Sequence, residues 1–209
     1  MHKSILAVAA LMLGGLAAGG CGEPAPTAYT YTSEPEGFSL TFPSDWPKST
    51  GGYGMNLEIQ PPGQDDPNVF RDDIFVRVET LPAAMPVEDY CAVKIAKGVK
   101  KMPDYKEISK SATKLCGQDA WRLTYSYKNP TYDTPVTSVT YFLSSGIRGY
   151  IIAANAGSDK FAERKAKFEE ILWTFKLLGA PAAAPAAPAA APAEAPAAAP
   201  AAAPAPSTK

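Results

Sequence analysis

Residues 119–128 read DAWRLTYSYK, and apolar and polar side chains alternate along this stretch. Successive side chains of a strand point to opposite faces, so the alternation predicts a strand with one strongly apolar face. That face carries Trp121, Leu123, Tyr125 and Tyr127. The next apolar stretches, 136–143 and 148–154, contain adjacent large residues, which predicts strands buried on both faces. A sheet of this kind needs a covering layer on each side.

Short turns join these strands and set their direction. Gly117 follows a strand predicted near 105–114, and Ser145-Gly146 separates the last two strands. Tight turns between successive strands make such pairs antiparallel. Three earlier strands are predicted from their apolar pattern, at 38–42, 54–60 and 74–81.

Two stretches have the apolar spacing of helices. The first is 87–101, with an apolar residue at every fourth position: Val87, Cys91, Ile95 and Val99. The second is 159–173, where Ser158 is the predicted N-cap and the buried stripe contains Phe161, Phe168, Ile171 and Leu172. Strands dominate between the helices. The sequence therefore predicts an α+β domain with a mainly antiparallel sheet of about six to seven strands.

The N-terminus has the layout of a secretory signal peptide over residues 1–20, with Lys3, an apolar run and then small residues. The segment ends Ala18-Gly19-Gly20-Cys21, which resembles a bacterial lipobox. This resemblance implies that Cys21 carries lipid and begins the mature chain. The alternative is ordinary signal cleavage nearby, with Cys21 a free thiol. Gly22 is not the aspartate that commonly retains lipoproteins at the inner membrane, so the outer membrane, facing the periplasm, is expected.

The C-terminal residues, 179–209, are rich in alanine and proline. Frequent prolines prevent a helix, and the tail has no large apolar side chains with which to form a core. We expect a disordered tail that is passive, or that serves as a spacer through the cell wall or as a docking segment. The folded domain is then predicted over 30–178, and residues 21–29 tether it to the lipid.

Composition excludes several classes of function. The only histidine is His2, inside the signal peptide, so the mature chain has no histidine for a catalytic triad or a metal site. A formal net charge of −1 gives no reason to expect nucleic-acid binding. Four aspartates flank one loop without calcium-loop spacing and are interpreted as a solvated acidic loop: Asp65, Asp66, Asp72 and Asp73. No catalytic residue, cofactor site or metal site is predicted.

Two cysteines, Cys91 and Cys116, remain once Cys21 is assigned to the lipid. In the oxidising compartment of an exported protein, two remaining cysteines can pair. A disulfide would join the first helix to the turn at Gly117. The alternative is two separate buried thiols.

Three aromatic residues lie in Pro- or Gly-rich connections: Trp46, Tyr53 and Tyr132. Exposed aromatic side chains can anchor a protein partner, so these residues are candidate partner contacts. The alternative is that their loops fold onto the core.

Two motifs at opposite ends of the domain resemble one family. Residues 37–46, GFSLTFPSDW, resemble the opening strand and turn of PsbP-like domains, and residues 168–175, FEEILWTF, resemble their closing helix. The resemblance covers about 140 residues, from near Tyr31 to Leu177. It implies an antiparallel sheet with helices on both faces, as in the PsbP/DcrB-like family. That family is not known for enzyme activity, and its bacterial relatives include periplasmic proteins and lipoproteins.

Two functions therefore remain open. The first is a non-catalytic envelope lipoprotein, held to the membrane by its N-terminal lipid, that binds or supports an envelope protein or the cell wall. The second is a periplasmic enzyme that works without histidine, using a carboxylate, serine or lysine. The absence of a recognisable catalytic motif favours the first.

Overall fold

The computed structural model describes residues 27–179. The predicted signal peptide, Cys21 and the Ala/Pro-rich tail from residue 180 onward lie outside the described residues. The strands are β1 (Ala28–Ser33), β2 (Phe38–Pro43), β3 (Lys48–Ser49), β4 (Leu57–Ile59), β5 (Asp73–Thr80), β6 (Lys106–Leu115), β7 (Gln118–Asn129), β8 (Thr134–Ser145), β9 (Arg148–Gly157) and β10 (Lys176–Leu177). The helices are α1 (Val87–Lys97) and α2 (Phe161–Leu172).

Seven strands form one large sheet in the order β3-β4-β5-β9-β8-β7-β6. All its neighbours pair antiparallel, and for β6-β7 and β8-β9 the short turns predicted this. Gly117 and Gly146 have positive φ values of 84° and 57°, which a residue without Cβ adopts easily, so the chain reverses tightly at both positions. β9 is the middle strand of this sheet, between β5 and β8, and β7 lies next to the edge strand β6.

A smaller sheet, β1-β2-β10, was not foreseen as a separate layer. The predicted first strand is its middle strand, β2, where Phe38 and Leu40 are fully buried. The chain returns to it at the end of the domain, where the Leu178 amide donates to the Gly37 carbonyl at 2.9 Å. The two motifs that resemble PsbP-like domains also meet, because the rings of Phe38 and Phe175 stack with centroids 5.9 Å apart.

Each face of the large sheet has its own apolar core. On one side, here called the α2 face, the small sheet and Phe168, Ile171 and Leu172 of α2 cover the strands. On the other side, the α1 face, Tyr90, Cys91 and Ile95 pack against β7 and β8. The predicted arrangement of helices on both faces is confirmed.

Helix boundaries differ from the prediction at two positions. The first helix ends at Lys97 because Gly98 leaves the helical conformation (φ −123°), and Val99–Lys101 form a separate 3-10 turn. Ser158 does not cap the second helix. Its hydroxyl lies 2.8 Å from that of Thr137 on β8, and Lys160 occupies the N-cap position.

The predicted disulfide between Cys91 and Cys116 is absent, and both cysteines are free. Cys91 does face the sheet, in the core of the α1 face. Cys116 instead packs against the core of the α2 face, and its thiol donates to the Trp173 carbonyl. The large sheet therefore lies between the two thiols. The predicted disulfide rested only on the oxidising compartment and on the number of remaining cysteines, and neither indicates on which face of the sheet a cysteine lies.

Within residues 27–179, neither helix is long and apolar enough to cross a membrane.

Candidate functional site

A cavity of about 500 Å³ opens beside β4 and the start of β5, and we call it the aromatic groove. Four connections and the sheet itself contribute to it. Its lining consists of Pro47, Ser49, Tyr53, Glu58, Gln60, Pro67, Phe70, Arg71, Asp73 and Tyr132. Two of the three aromatic residues singled out in the sequence thus lie at one site.

Tyr53 is displayed by a short 3-10 turn, Gly52–Gly54, and its side chain is 93% exposed. The backbone of this turn is fixed from two sides. Gly51 donates to the Met55 carbonyl at 2.9 Å, and the Arg77 guanidinium on β5 donates to the Tyr53 carbonyl at 3.0 Å. Tyr53 itself has a positive φ of 50°, which is uncommon outside glycine. The fold therefore holds a large aromatic side chain in solvent on a braced loop.

Tyr132 lies in the turn between β7 and β8. Asn129 braces this turn, because its side-chain oxygen accepts from the amides of Thr131 at 2.9 Å and Tyr132 at 3.2 Å. The Tyr132 ring meets Phe70 edge to face, with ring centroids 6.2 Å apart. This aromatic contact joins the turn to the connection between β4 and β5.

The connection between β4 and β5 is fixed by Gln64 and Asp72. The Gln64 side chain exchanges two hydrogen bonds with the Asp72 backbone, at 2.7 and 3.0 Å. The Asp72 carboxylate is buried, accepts from the Gly157 amide at 3.2 Å and pairs with Arg164 of α2 at 3.0 Å. The interpretation of this segment as a solvated acidic loop is wrong for Asp72, which ties the loop to the core.

Asp73 forms the inner wall of the groove and is only half-exposed. The pKa of its carboxyl is raised to about 7, chiefly by burial and to a smaller extent by the charges of Glu58 and Asp72, against a hydrogen bond from Asn155 at 2.6 Å that lowers it. Asn155 is its direct neighbour on β9. The groove therefore contains a carboxyl group that gains and loses its proton near neutral pH.

This titration predicts a pH dependence of stability. The folded-state pKa of Asp73 lies above its usual 3.8. Between these values the folded protein keeps a proton that the unfolded chain has lost, so stability falls as pH rises from about 4 to above 7. Water at the half-exposed group weakens the effect to about 1–2 kcal/mol. The melting temperature should therefore be about 3–6 °C higher at about pH 5 than at about pH 8.

Asp73→Asn is the matched variant for this measurement. It retains a similar shape and an oxygen that can accept from Asn155, but it removes the ionisation. We expect the difference in melting temperature between the two pH values to shrink in this variant. An unchanged difference would assign the pH dependence to other groups.

The structure places two of the three predicted partner contacts at the groove and the third in the core. Tyr53 and Tyr132 line the groove, but Trp46 does not. Trp46 is 7% exposed and packs edge to face on Phe168, with ring centroids 6.4 Å apart. Its loop folds onto the core, so the prediction of a partner contact at Trp46 is wrong.

Most of the groove lining, including Phe70, was not identified from the sequence, and neither were Asn155 and Arg77, which support the site from neighbouring strands. Phe70 lies in a connection that contains three prolines and a glycine, so the criterion applied to Tyr53 and Tyr132, an aromatic residue in a Pro- or Gly-rich connection, would have found it. Nothing in the sequence around Asn155 or Arg77 indicates a role at the site, because strand pairing brings them there. Within residues 27–179, no three His, Cys, Asp or Glu side chains converge as metal ligands.

Comparison with known proteins finds similarity in structure alone. No protein-family model and no curated protein matches the chain. The structure of LpqN, involved in cell envelope biogenesis of Mycobacterium tuberculosis, is similar with a TM-score of 0.56 and 18% identity, over 76% of this chain and 88% of LpqN.

Two further solved structures are similar at lower identity. Cyanobacterial PsbP from Synechocystis sp. PCC 6803 aligns with a TM-score of 0.52 and 14% identity, over 77% of this chain and 97% of that protein. A Pseudomonas aeruginosa protein of unknown function aligns with a TM-score of 0.50 and 14% identity, over 74% and 98%. The chain thus has the PsbP-like fold that its two terminal motifs predicted.

Proposed function

We propose that this chain is a non-catalytic lipoprotein of the bacterial cell envelope whose domain binds another envelope component through the aromatic groove. The observation that carries the proposal is Tyr53, 93% exposed on a braced loop at the mouth of a groove of about 500 Å³. The lipobox-like sequence before Cys21 and the envelope role of the similar protein LpqN support the location.

The chemistry of the groove suits the recognition of a partner. Tyrosine combines a large apolar ring with a polar tip and is enriched at the energetic centres of interfaces. Arg77 already holds the loop backbone at Tyr53, so less conformational entropy of this loop is lost when a partner binds. Glu58, Gln60 and Arg71 around the rings supply hydrogen-bonding groups that can orient a partner.

The expected anchor keeps this groove near a membrane. β1 begins at Ala28, so only residues 22–27 separate Cys21 from the first strand. Six extended residues span about 20 Å at most. A lipid on Cys21 would therefore hold the domain within reach of membrane proteins and, with an outer-membrane anchor, of the adjacent cell wall.

Cross-linking tests the groove as the binding surface. The full-length protein is cross-linked in intact cells and purified, and the co-purifying component is quantified for the wild type and for the double variant Tyr53→Ala/Tyr132→Ala. We expect recovery to fall at least about tenfold, since such anchors are worth more than about 1.4 kcal/mol. The fold should be unaffected, because neither residue belongs to the two apolar cores.

Trp173→Ala is the control variant. Trp173 is also an exposed aromatic residue, 51% exposed, but it follows α2 on the other face of the large sheet. It should leave recovery unchanged. Equal recovery of the component from the wild type and from all variants would show that the groove does not bind it.

One observation supports the enzymatic alternative. A carboxyl group with a pKa of about 7, as at Asp73, is suited to general acid–base catalysis at neutral pH. The Asp73→Asn variant separates the two functions. A binding protein with this variant retains its cross-linked partner, whereas an enzyme that relies on Asp73 loses turnover.

A further inference from the structure

A second cavity, of about 310 Å³, lies between the end of α1 and the large sheet, and we call it the lysine pocket. Its size falls in the usual range of small-molecule sites, about 300–1,000 Å³. The interior is apolar and includes Val99, Met102, Phe142 and Ile151. No residue lines both this pocket and the aromatic groove, although Arg77, which lines the pocket, also donates to the Tyr53 carbonyl beside the groove.

The pocket exists because α1 covers only part of its sheet face. The helix packs on β7 and β8 and ends at Lys97. Beyond Gly98 the chain turns sharply, which buries Val99 and leaves Lys100 and Lys101 exposed. Phe75 and Ile151 on the neighbouring strands remain half-buried beside the cavity. Apolar surface is thus exposed inside a recess, where a ligand could cover it.

The mouth of the pocket carries an excess of positive charge. Arg77, Lys94 and Lys97 line it with a single carboxylate, Glu79. Lys94 pairs with Glu79, which leaves Arg77 and Lys97 without a salt bridge to any described residue. The Nε atom of Arg77 is buried and lacks a hydrogen-bond partner among residues 27–179. A buried donor of this kind favours an anionic acceptor.

We infer that the lysine pocket binds a single-chain anionic amphiphile, with its acyl chain in the apolar interior and its carboxylate or phosphate head between Arg77 and Lys97. This ligand matches both halves of the site. An acyl chain needs no hydrogen bonds in the interior, where a peptide would leave its backbone groups largely unpaired. The head group balances the positive charges of Arg77 and Lys97, which form no salt bridge with a described residue.

The test uses the full-length protein in its own membranes and a photoreactive palmitic acid with a diazirine in the chain. Cross-linked peptides are identified by mass spectrometry. We expect labelling to concentrate in the segments that line the pocket, which are residues 75–79, 94–102, 125 and 140–151. Labelling spread over other surfaces of the domain would overturn the proposal, and this readout needs no variant.

Competition identifies the head group. Excess palmitate should suppress the labelling if the ligand is a free fatty acid, and lysophosphatidylglycerol should suppress it more strongly if the ligand is a lysophospholipid. Both results support an anionic amphiphile. Hexadecyltrimethylammonium has a similar chain but the opposite charge, and it should not compete. Equal competition by this cation would contradict the proposed role of Arg77 and Lys97.

Charge reversal at the mouth provides a matched pair of variants. Lys97→Glu should weaken labelling about tenfold, because it places a negative charge beside the head group. Lys101→Glu makes the same change at a nearby exposed lysine that does not line the pocket. It should change labelling by less than about twofold. If labelling fell equally in both variants, the ligand would be attracted by the positive surface in general, and this result would contradict the proposed site.

Discussion

Replacement of Gly149 by valine is expected to lower the melting temperature by about 6–12 °C. A Cβ atom at Gly149 would lie 2.5 Å from two ring carbons of Tyr90 and 2.7 Å from its hydroxyl oxygen. The Tyr90 ring is fully buried and packs edge to face on Phe142, with ring centroids 6.3 Å apart, so it has little room to move. Overpacking of this kind costs about 3 kcal/mol, at about 2–4 °C for each kcal/mol in a domain of this size.

Gly52→Val is the control for this measurement. A Cβ atom at Gly52 would meet no neighbouring atom within 4 Å, and the φ of Gly52 is not positive, so its replacement should change the melting temperature far less. A Tyr90→Leu background gives a second check, since removing the ring should reduce the loss caused by Gly149→Val. An equal loss in both backgrounds would show that the clash with Tyr90 is not the cause.

Replacement of Cys21 by serine is expected to abolish lipid anchoring. The lipobox-like sequence Ala18-Gly19-Gly20-Cys21 predicts acylation at the cysteine sulfur, which a serine cannot replace. Two or more acyl chains hold a protein stably on a membrane, whereas one chain binds only marginally. The variant should therefore lose its acyl chains and remain unprocessed or be released in soluble form. Mass spectrometry of the N-terminal peptide and fractionation of membranes measure both effects.

Cys91→Ser is the matched control for the anchoring experiment. It removes a different thiol, one that is buried in the core of the α1 face. It should leave acylation intact, although it can lower stability. An unacylated mature N-terminus at another position in the wild-type protein would refute the assignment of Cys21.

The sequence predicted most of the fold because the large sheet is built from local signals. The alternation at Trp121, Leu123 and Tyr125 specified one strand, and the glycine turns at Gly117 and Gly146 specified the antiparallel pairs β6-β7 and β8-β9. Pairs such as Ile151–Ile152 indicated burial on both faces, which required cover on both sides. Each of these signals lies within a few residues along the chain. The small sheet escaped because β10 meets β2 across most of the domain.

The candidate site was predicted only in part, for the same reason. Glycine and proline near Tyr53 and Tyr132 indicated loops that could expose an aromatic ring. The same pattern at Trp46 was misleading, because its exposure depends on Phe168, which lies far along the chain. Asp73 was assigned to solvent because nothing in its neighbours along the chain indicates that β9 will place Asn155 beside it.

The sequence alone determined most of the strands, the two helices and the expectation of a lipid at Cys21, since each depends on short-range spacing or on a contiguous motif. Tertiary structure decided which thiols could meet, which aromatic rings remained exposed and that the carboxyl group of Asp72 is buried. It placed Cys91 and Cys116 against opposite faces of one sheet and brought Tyr53, Phe70 and Tyr132 to one groove. Side-chain alternation specifies a face within a strand, but only the pairing and packing of distant segments determines what that face contacts.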